Sequence, residues 1–254
     1  MIRAMLRVLI AGVTGWTGVP LAAAVRAADD LELAGGIARR GADHASLEEA
    51  LAATEADVLV DYTKPDVVRG HVDAALAAGM HVVVGTSGLT ADDYAELDAA
   101  ARAAGRGVIA AGNFSVLAAT LLHAATLAAR HVSHWEVIDY GSAGKPDVPS
   151  GTARELAERL AEAGPPEPAG HDADLIGPPE ARGASVAGTR VHSLRLPGYA
   201  LSTDVVLATA GERLVVRHEA GASADPYVAG TLLAIRRVPE VTGVLRGLDR
   251  LLFQ

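Results

Sequence analysis

Cysteine is absent from the 254 residues, which excludes a disulfide framework, a zinc or iron–sulfur thiolate centre and a thiol nucleophile, and suits a cytoplasmic protein. Aromatic residues are scarce, with two Trp, two Phe and five Tyr, which argues against a base-stacking surface or an aromatic-rich sandwich. Positive charge is in deficit. Twenty-two Lys and Arg against 31 Asp and Glu leave a net −9, so nucleic acid, which demands clustered cations, is not an expected partner. Long apolar runs are missing as well. The stretch Val116 to Ala129 contains Thr120, His123 and Thr126 and falls short of the roughly 18 residues of a membrane span, so no membrane partner is expected. Met1 to Ile10 sets Arg3 and Arg7 before an apolar run, as a signal peptide does, but Gly12 and Gly15 interrupt it in the manner of a strand entering a glycine turn.

What is present is a rhythm of strands and alanine-rich helices. Strands are predicted at Leu6 to Ala11, Leu31 to Ile37, Val58 to Tyr62, His81 to Val84 and Gly107 to Ala110. Predominantly apolar, β-branched runs of this kind suit strands buried on both faces of a parallel sheet, which requires crossover connections. The fold class is therefore α/β, a Rossmann-type doubly wound parallel sheet.

After Asn113 the pattern changes. A helix is predicted over Ser115 to Ala129 and a strand over Trp135 to Tyr140. Ala153, Leu156, Ala157, Leu160 and Ala161 lie at helical spacing within Thr152 to Ala163. Gly164 to Gly188 reads as a loop with little regular structure. Strands at Val191 to Leu196, Thr203 to Thr209 and Arg213 to His218 suggest an antiparallel or mixed sheet, hence a second α+β domain, and Pro226 to Val238 reads as a last helix. The expected division is a dinucleotide domain of residues 1–113 and 224–254 around a domain of residues 114–223.

Gly12, Gly15 and Gly18 stand between the first strand and a helix. Glycines there let the backbone approach a pyrophosphate, while the helix N-terminus offers unpaired N–H groups. The spacing is GxxGxxG, a variant of the commoner fingerprint, and its weaker alternative is a plain turn. The second strand ends in Ile37-Ala38-Arg39-Arg40. Two guanidiniums and no acid favour NADPH over NADH, although NADH remains possible and a solvated basic turn is the alternative.

Lys145-Pro146-Asp147-Val148-Pro149-Ser150-Gly151-Thr152-Ala153 leads into the amphipathic helix. Thr152 with Glu155 matches a capping box, which by itself makes a good helix start. The same helix start, with the Ser150 and Thr152 hydroxyls, is also a ready site for a substrate carboxylate, and Lys145 can supply charge or a proton. HxxH at His131 and His134 lacks a carboxylate constellation, so no metal site is expected.

At these residues the chain resembles the 4-hydroxy-tetrahydrodipicolinate (dihydrodipicolinate) reductase family of lysine and diaminopimelate synthesis. The resemblance spans nearly the whole chain. It runs through the glycine turn, Asp61-Tyr62-Thr63-Lys64-Pro65, Gly85-Thr86-Ser87-Gly88, Ala111-Gly112-Asn113-Phe114-Ser115, the Lys145 loop and Gly211-Glu212-Arg213. It implies a homotetrameric NAD(P)H-dependent oxidoreductase that transfers hydride to a cyclic unsaturated imine or enamine carboxylate. Carried over, Gly12, Thr14, Gly15, Trp16, Thr17 and Gly18 surround the cofactor pyrophosphate, and Arg39 with Arg40 meets the adenosine phosphate. Tyr62, Thr63, Gly85, Thr86, Ser87, Ala111, Asn113 and Phe114 complete the cofactor side. Lys145, Ser150, Gly151 and Thr152 grip substrate.

Most members carry adjacent histidines four and three residues before the lysine, where this chain has Gly141 and Ser142. Loss of an imidazole that titrates near neutrality leaves Lys145 as the candidate acid, with Tyr140 as a second candidate if it turns inward. Two further readings follow, a diverged paralogue acting on another cyclic imine acid and a non-catalytic NAD(P)-binding sensor.

Overall fold

The aliphatic runs near the chain start form strands whose side chains are buried on both faces. The computed structural model describes residues 5–167 and 175–253; the Met1-to-Ala4 part of the signal-peptide-like segment lies outside them. The described chain forms two compact units. One runs to Val116 and resumes over Ala224–Leu252; the other comprises Leu117–Ser223 with Phe253.

The first unit is built on β1 (Leu6–Ala11), β2 (Leu31–Ile37), β3 (Val58–Asp61), β4 (His81–Val84), β5 (Gly107–Ala110) and β11 (Gly243–Arg246). All are parallel, in the order β11-β5-β4-β3-β1-β2. Order reverses beside β1, which places the glycine turn at the switch point where such sheets bind ligands. Helices α1 (Gly18–Ala27), α2 (Leu47–Ala53), α3 (Pro65–Ala77) and α4 (Ala91–Ala103) supply the crossovers. Their starts are chemically marked. Ser46 accepts from the Glu49 N–H, Pro65 takes the first turn of α3, and Thr90 with Asp93 forms a reciprocal capping box. A core of Leu9, Leu59, Val68, Val82, Leu97 and Val108 fills one side of the sheet.

The sixth strand, β11, has no counterpart in the expected pattern. Only four residues long and bounded by Gly243 and Gly247, it lacks the apolar run that marks the others. Helix α7 (Asp225–Arg237) leads to it, and the short α8 (Asp249–Leu252) follows.

The second unit contains α5 (Val116–Ala129), β6 (His134–Gly141), α6 (Gly151–Ala161), β7 (Ala184–Val186), β8 (Thr189–Arg195), β9 (Leu201–Ala208) and β10 (Arg213–Ala220). The sheet order is β10-β9-β6-β8-β7, and it is mixed, since β6 and β8 run parallel while the other neighbours are antiparallel. Trp135, Val137, Val191, Val205 and Leu207 pack against Leu121, Leu122 and Ala125 of α5 and Leu156 and Leu160 of α6. The expectation of little regular structure over Gly164 to Gly188 is corrected. A 3₁₀ turn at Pro179–Arg182 precedes β7, which hairpins onto β8 through Ala187 and Gly188, both at positive φ. Residues 168–174 of that segment lie outside the described residues.

Candidate functional site

In the first unit the glycine turn is shaped by exclusion. Gly12 has φ +83°, and a Cβ there would overlap the Tyr62 carbonyl; a Cβ on Gly18 would overlap the Gly12 carbonyl. The Gly12 N–H donates to Ile37 O at 2.8 Å and the Gly15 N–H to Gly12 O at 2.9 Å. Three strand ends therefore meet at the first residue of α1, with no side chain between backbone and ligand space. Thr14 and Trp16 are exposed and Thr17 half-buried around this cradle. Arg39 and Arg40 are exposed beyond the end of β2, in a loop tied back by the His44 N–H to Gly36 O and the Gly36 N–H to Asp43 Oδ2. Neither guanidinium is engaged in a salt bridge among the described residues. The cradle fits the pyrophosphate of a nicotinamide dinucleotide.

Behind the cradle sits Asp61, fully buried at the end of β3. Its Oδ1 accepts from the Thr63 N–H at 3.0 Å and from the Thr63 and Thr86 hydroxyls, both at 2.6 Å, and its Oδ2 lies 2.6 Å from His71 Nδ1. Burial pushes the carboxyl up, but the bonds from His71, Thr63 and Thr86 outweigh it, so the net displacement is below the ordinary range. Thr63 and Thr86 thus turn their hydroxyls inward to Asp61.

Tyr62 and Phe114, expected on the cofactor side, pack against each other. Tyr62 lies 2.7 Å from Thr231 Oγ1, packs edge-on to Phe114 and leaves Gly85 no room for a side chain. Phe114 is 1% exposed. Both rings pack within the first unit. Asn113 is buried and its Oδ1 accepts from the Ser115 N–H. Ala111 is buried while Ser87 is exposed.

In the second unit the lysine loop is organised by a carboxylate that sequence reasoning missed. Asp139 lies at a core-facing position of β6, alternating with Trp135 and Val137, and that alternation is the signal that could have revealed it. It is fully buried. Its Oδ2 accepts from the Ser150 N–H at 2.9 Å, Ser193 Oγ at 3.2 Å and Arg195 Nη2 at 2.8 Å, and its Oδ1 from Ser150 Oγ at 2.7 Å. Ser150 in turn accepts from the Ala153 N–H. Ser150, rather than the expected Thr152, is thus the N-cap of α6, with Gly151 and Thr152 as its first residues. Lys145 Nζ pairs with Asp147 at 2.7 Å. Only two lysines occur in the whole chain, Lys64 and Lys145, and each stands directly before a proline at a candidate loop.

Tyr140 does not face this loop. As a neighbour of inward-facing Asp139 on a strand it points to the opposite side of the sheet, where its hydroxyl donates to Asp204 Oδ2 at 3.0 Å beneath Arg217. Burial, followed by the Asp204 carboxylate, pushes the phenol up, which makes it a weaker acid. The catalytic role considered for Tyr140 is set aside on both grounds. His134 bonds to the Glu167 carbonyl and His123 stacks on Phe253. Among the described residues no cluster of His, Asp and Glu could hold a metal, and no helix is long and apolar enough to cross a membrane.

The model of the dihydrodipicolinate reductase N-terminus matches residues 6–114, and that of the C-terminus residues 114–252. The chain belongs to the dihydrodipicolinate reductase family. It is 36% identical over 248 residues to 4-hydroxy-tetrahydrodipicolinate reductase of Mycolicibacterium smegmatis, covering 97% of this chain and 99% of that one. It is 39% identical over 250 residues to the same enzyme of Beutenbergia cavernae, covering 96% and 97%. Among solved structures, dipicolinate-bound dihydrodipicolinate reductase from Paenisporosarcina sp. TG-14 superposes with TM-score 0.79 at 28% identity, over 97% of this chain and 99% of that one. Members of this family are NAD(P)H-dependent oxidoreductases, and the two sheets described above, one parallel and one mixed, are those of a dihydrodipicolinate reductase.

Proposed function

We propose that the chain is a cytoplasmic, homotetrameric, NADPH-dependent reductase whose substrate is the 4-hydroxy-tetrahydrodipicolinate of lysine and diaminopimelate synthesis. The observation that carries the substrate reading is the Asp139-anchored start of α6, where Ser150 caps the helix beside the Lys145 loop. A helix start with N–H groups free of intrahelical partners is suited to a carboxylate. When bound, the nicotinamide supplies hydride, the step that side chains cannot perform. Gly12, Gly15 and Gly18 would hold the pyrophosphate through their backbone, and Arg39 and Arg40 would meet the 2′-phosphate. Gly151 and Thr152 orient the carboxylate. Lys145 Nζ, held by Asp147, stabilises the charge that develops on the substrate and donates the proton.

The tetramer is supported by the outer face of the second sheet, where Ile138, Leu194, Val206 and Val215 alternate with the inward residues. Val215 is 53% exposed, and Glu136, His192, Asp204 and Arg217 share this face with the aliphatic side chains, a mixed surface of the kind that subunit contacts cover.

The test is NADPH consumption with freshly generated pathway substrate, for wild type and Lys145→Ala. Wild type is expected to turn over, and Lys145→Ala to lose about 10²- to 10⁴-fold in kcat, as for removal of a general acid. Binding of NADPH without consumption, either with that substrate or with a panel of cyclic imine acids, would sink the enzyme reading in favour of a sensor. A second substrate reading has one specific observation in its favour. Gly141 and Ser142 occupy the positions of the family's histidines, so turnover of a different cyclic imine acid, with none of the pathway substrate, identifies a diverged paralogue.

A further inference from the structure

Asp139 is fully buried and ion-paired with Arg195, and a buried carboxylate is tolerated only when paired and hydrogen-bonded. Three of its four partner bonds come from serines, which satisfy the oxygens without bringing charge. The fourth comes from Arg195, whose side chain is only 13% exposed and which reaches further than Asp139. Its Nη2 also donates to the Asp147 carbonyl at 2.7 Å, while Nη1 donates to the carbonyls of Asp139 at 3.2 Å and Leu194 at 2.9 Å.

We infer that Arg195 is a positioning residue for the reaction, one guanidinium that ties the buried Asp139 to the Asp147 carbonyl and thereby sets Lys145 and the start of α6 in a single arrangement. The inference rests on the reading of this loop as the substrate grip.

Two chains of contacts leave the guanidinium. Through Asp139 it reaches Ser150 and the Ala153 N–H at the start of α6. Through the Asp147 main chain it reaches the Asp147 carboxylate and so Lys145 Nζ. The segment between them has no regular structure and contains Pro146 and Pro149, so its geometry is set by these bonds rather than by a backbone ladder. Gly141, opposite Arg195 in the β6–β8 register, makes room for the arrangement. A Cβ there would lie 3.1 Å from Arg195 Nη1 and 3.0 Å from Lys145 Cδ. A planar fork can serve two acceptors on different chain segments at once; an ammonium is a single point charge on a flexible stem.

Arg195→Lys is the decisive variant, because it keeps the charge beside Asp139 and gives up the bridge. Amide exchange over residues 142–150 is expected to accelerate about tenfold, as for loss of one charge-assisted hydrogen bond, with the rest of the second unit unchanged. NADPH affinity should stay within about twofold, while KM for the substrate rises about tenfold. Ser193→Ala is the control. Ser193 donates to the same Asp139 oxygen and, among the described residues, its side chain makes no hydrogen bond to the loop, so exchange over 142–150 should match wild type.

If Arg195→Lys exchanges like wild type, or if Ser193→Ala loosens the loop equally, the inference is overturned. Acceleration spread over the whole sheet with a fallen Tm also overturns it, since it marks a merely structural residue. Should Arg195→Lys not fold, Gly141→Ala displaces the same guanidinium and must loosen the same segment. The exchange readout needs no substrate, so it decides the role of Arg195 even where turnover shows that the functional reading is wrong.

Discussion

A Cβ placed on Gly141 would stand 3.0 Å from Lys145 Cδ, so the residue at the first of the family's two histidine positions is in packing contact with the loop lysine itself. The space that an imidazole would fill there is taken by the lysine stem and the Arg195 guanidinium.

Restoring the histidines should therefore succeed at only one of the two positions. Gly141→His is expected to displace Lys145 and lower kcat/KM by about tenfold or more, given the cost of overpacking a filled site. Ser142 is exposed, and Ser142→His should be tolerated and add an ionisation near pH 6.5 to the kcat profile. Steady-state kinetics from pH 5 to 9 on both variants checks this.

Cofactor preference should lie with the arginines after β2. Arg39→Ala with Arg40→Ala is expected to weaken NADPH binding by about 10- to 100-fold, the range for lost hydrogen bonds to a charged group, and to leave NADH nearly unaffected. Titration of both nucleotides against wild type and the double variant gives the ratio.

Asp61 should make the cofactor cradle sensitive to acid. Its folded-state pKa lies below the ordinary value of 3.8, so the stabilisation is fully present above pH 3.8 and is lost as pH falls through the lower folded value. Asp61→Asn is expected to remove that contribution at neutral pH and to flatten the dependence below pH 4. Thermal melts between pH 2.5 and 7 measure both. A variant whose Tm falls as steeply in acid as that of wild type would refute the assignment.

The two tryptophans should report on different units. Trp16, in the glycine turn, is 60% exposed and edge-on to Tyr227. Trp135 is 5% exposed and donates to Thr189 Oγ1 at 3.0 Å. Iodide should quench roughly the Trp16 share of the emission and spare Trp135. NADPH should quench the same share, and Trp16→Phe should abolish both responses.

The parallel sheet was legible because its strands are aliphatic runs with at most one charge each, largely buried on both faces. Strand β11 was not, since four residues that begin with Gly243 and run into Gly247 carry too little periodicity and its place depends on pairing with β5 far back in the chain. Loop glycines and the lysine motif could be read from local chemistry. Asp139 and Arg195 could not be paired in advance, because they meet only through the register of β6 with β8. Tyr140 was misplaced for want of one fact, the inward direction of its neighbour Asp139. Ser150 displaced Thr152 as helix cap because Asp139 captures its N–H and hydroxyl, a tertiary contact with no local signature.

The pairing of Gly243 with Gly107 in the β11–β5 register has a consequence for synthesis. The ribosome delivers the whole mixed-sheet unit before the residues that complete the nucleotide sheet. Until then β5 is an open edge, with unpaired N–H and C=O groups and an aggregation hazard. Completion is a long-range, high-contact-order event and should be the slow step of folding. A chain stalled shortly before β11 should therefore bind chaperones, whereas one released after α8 should not.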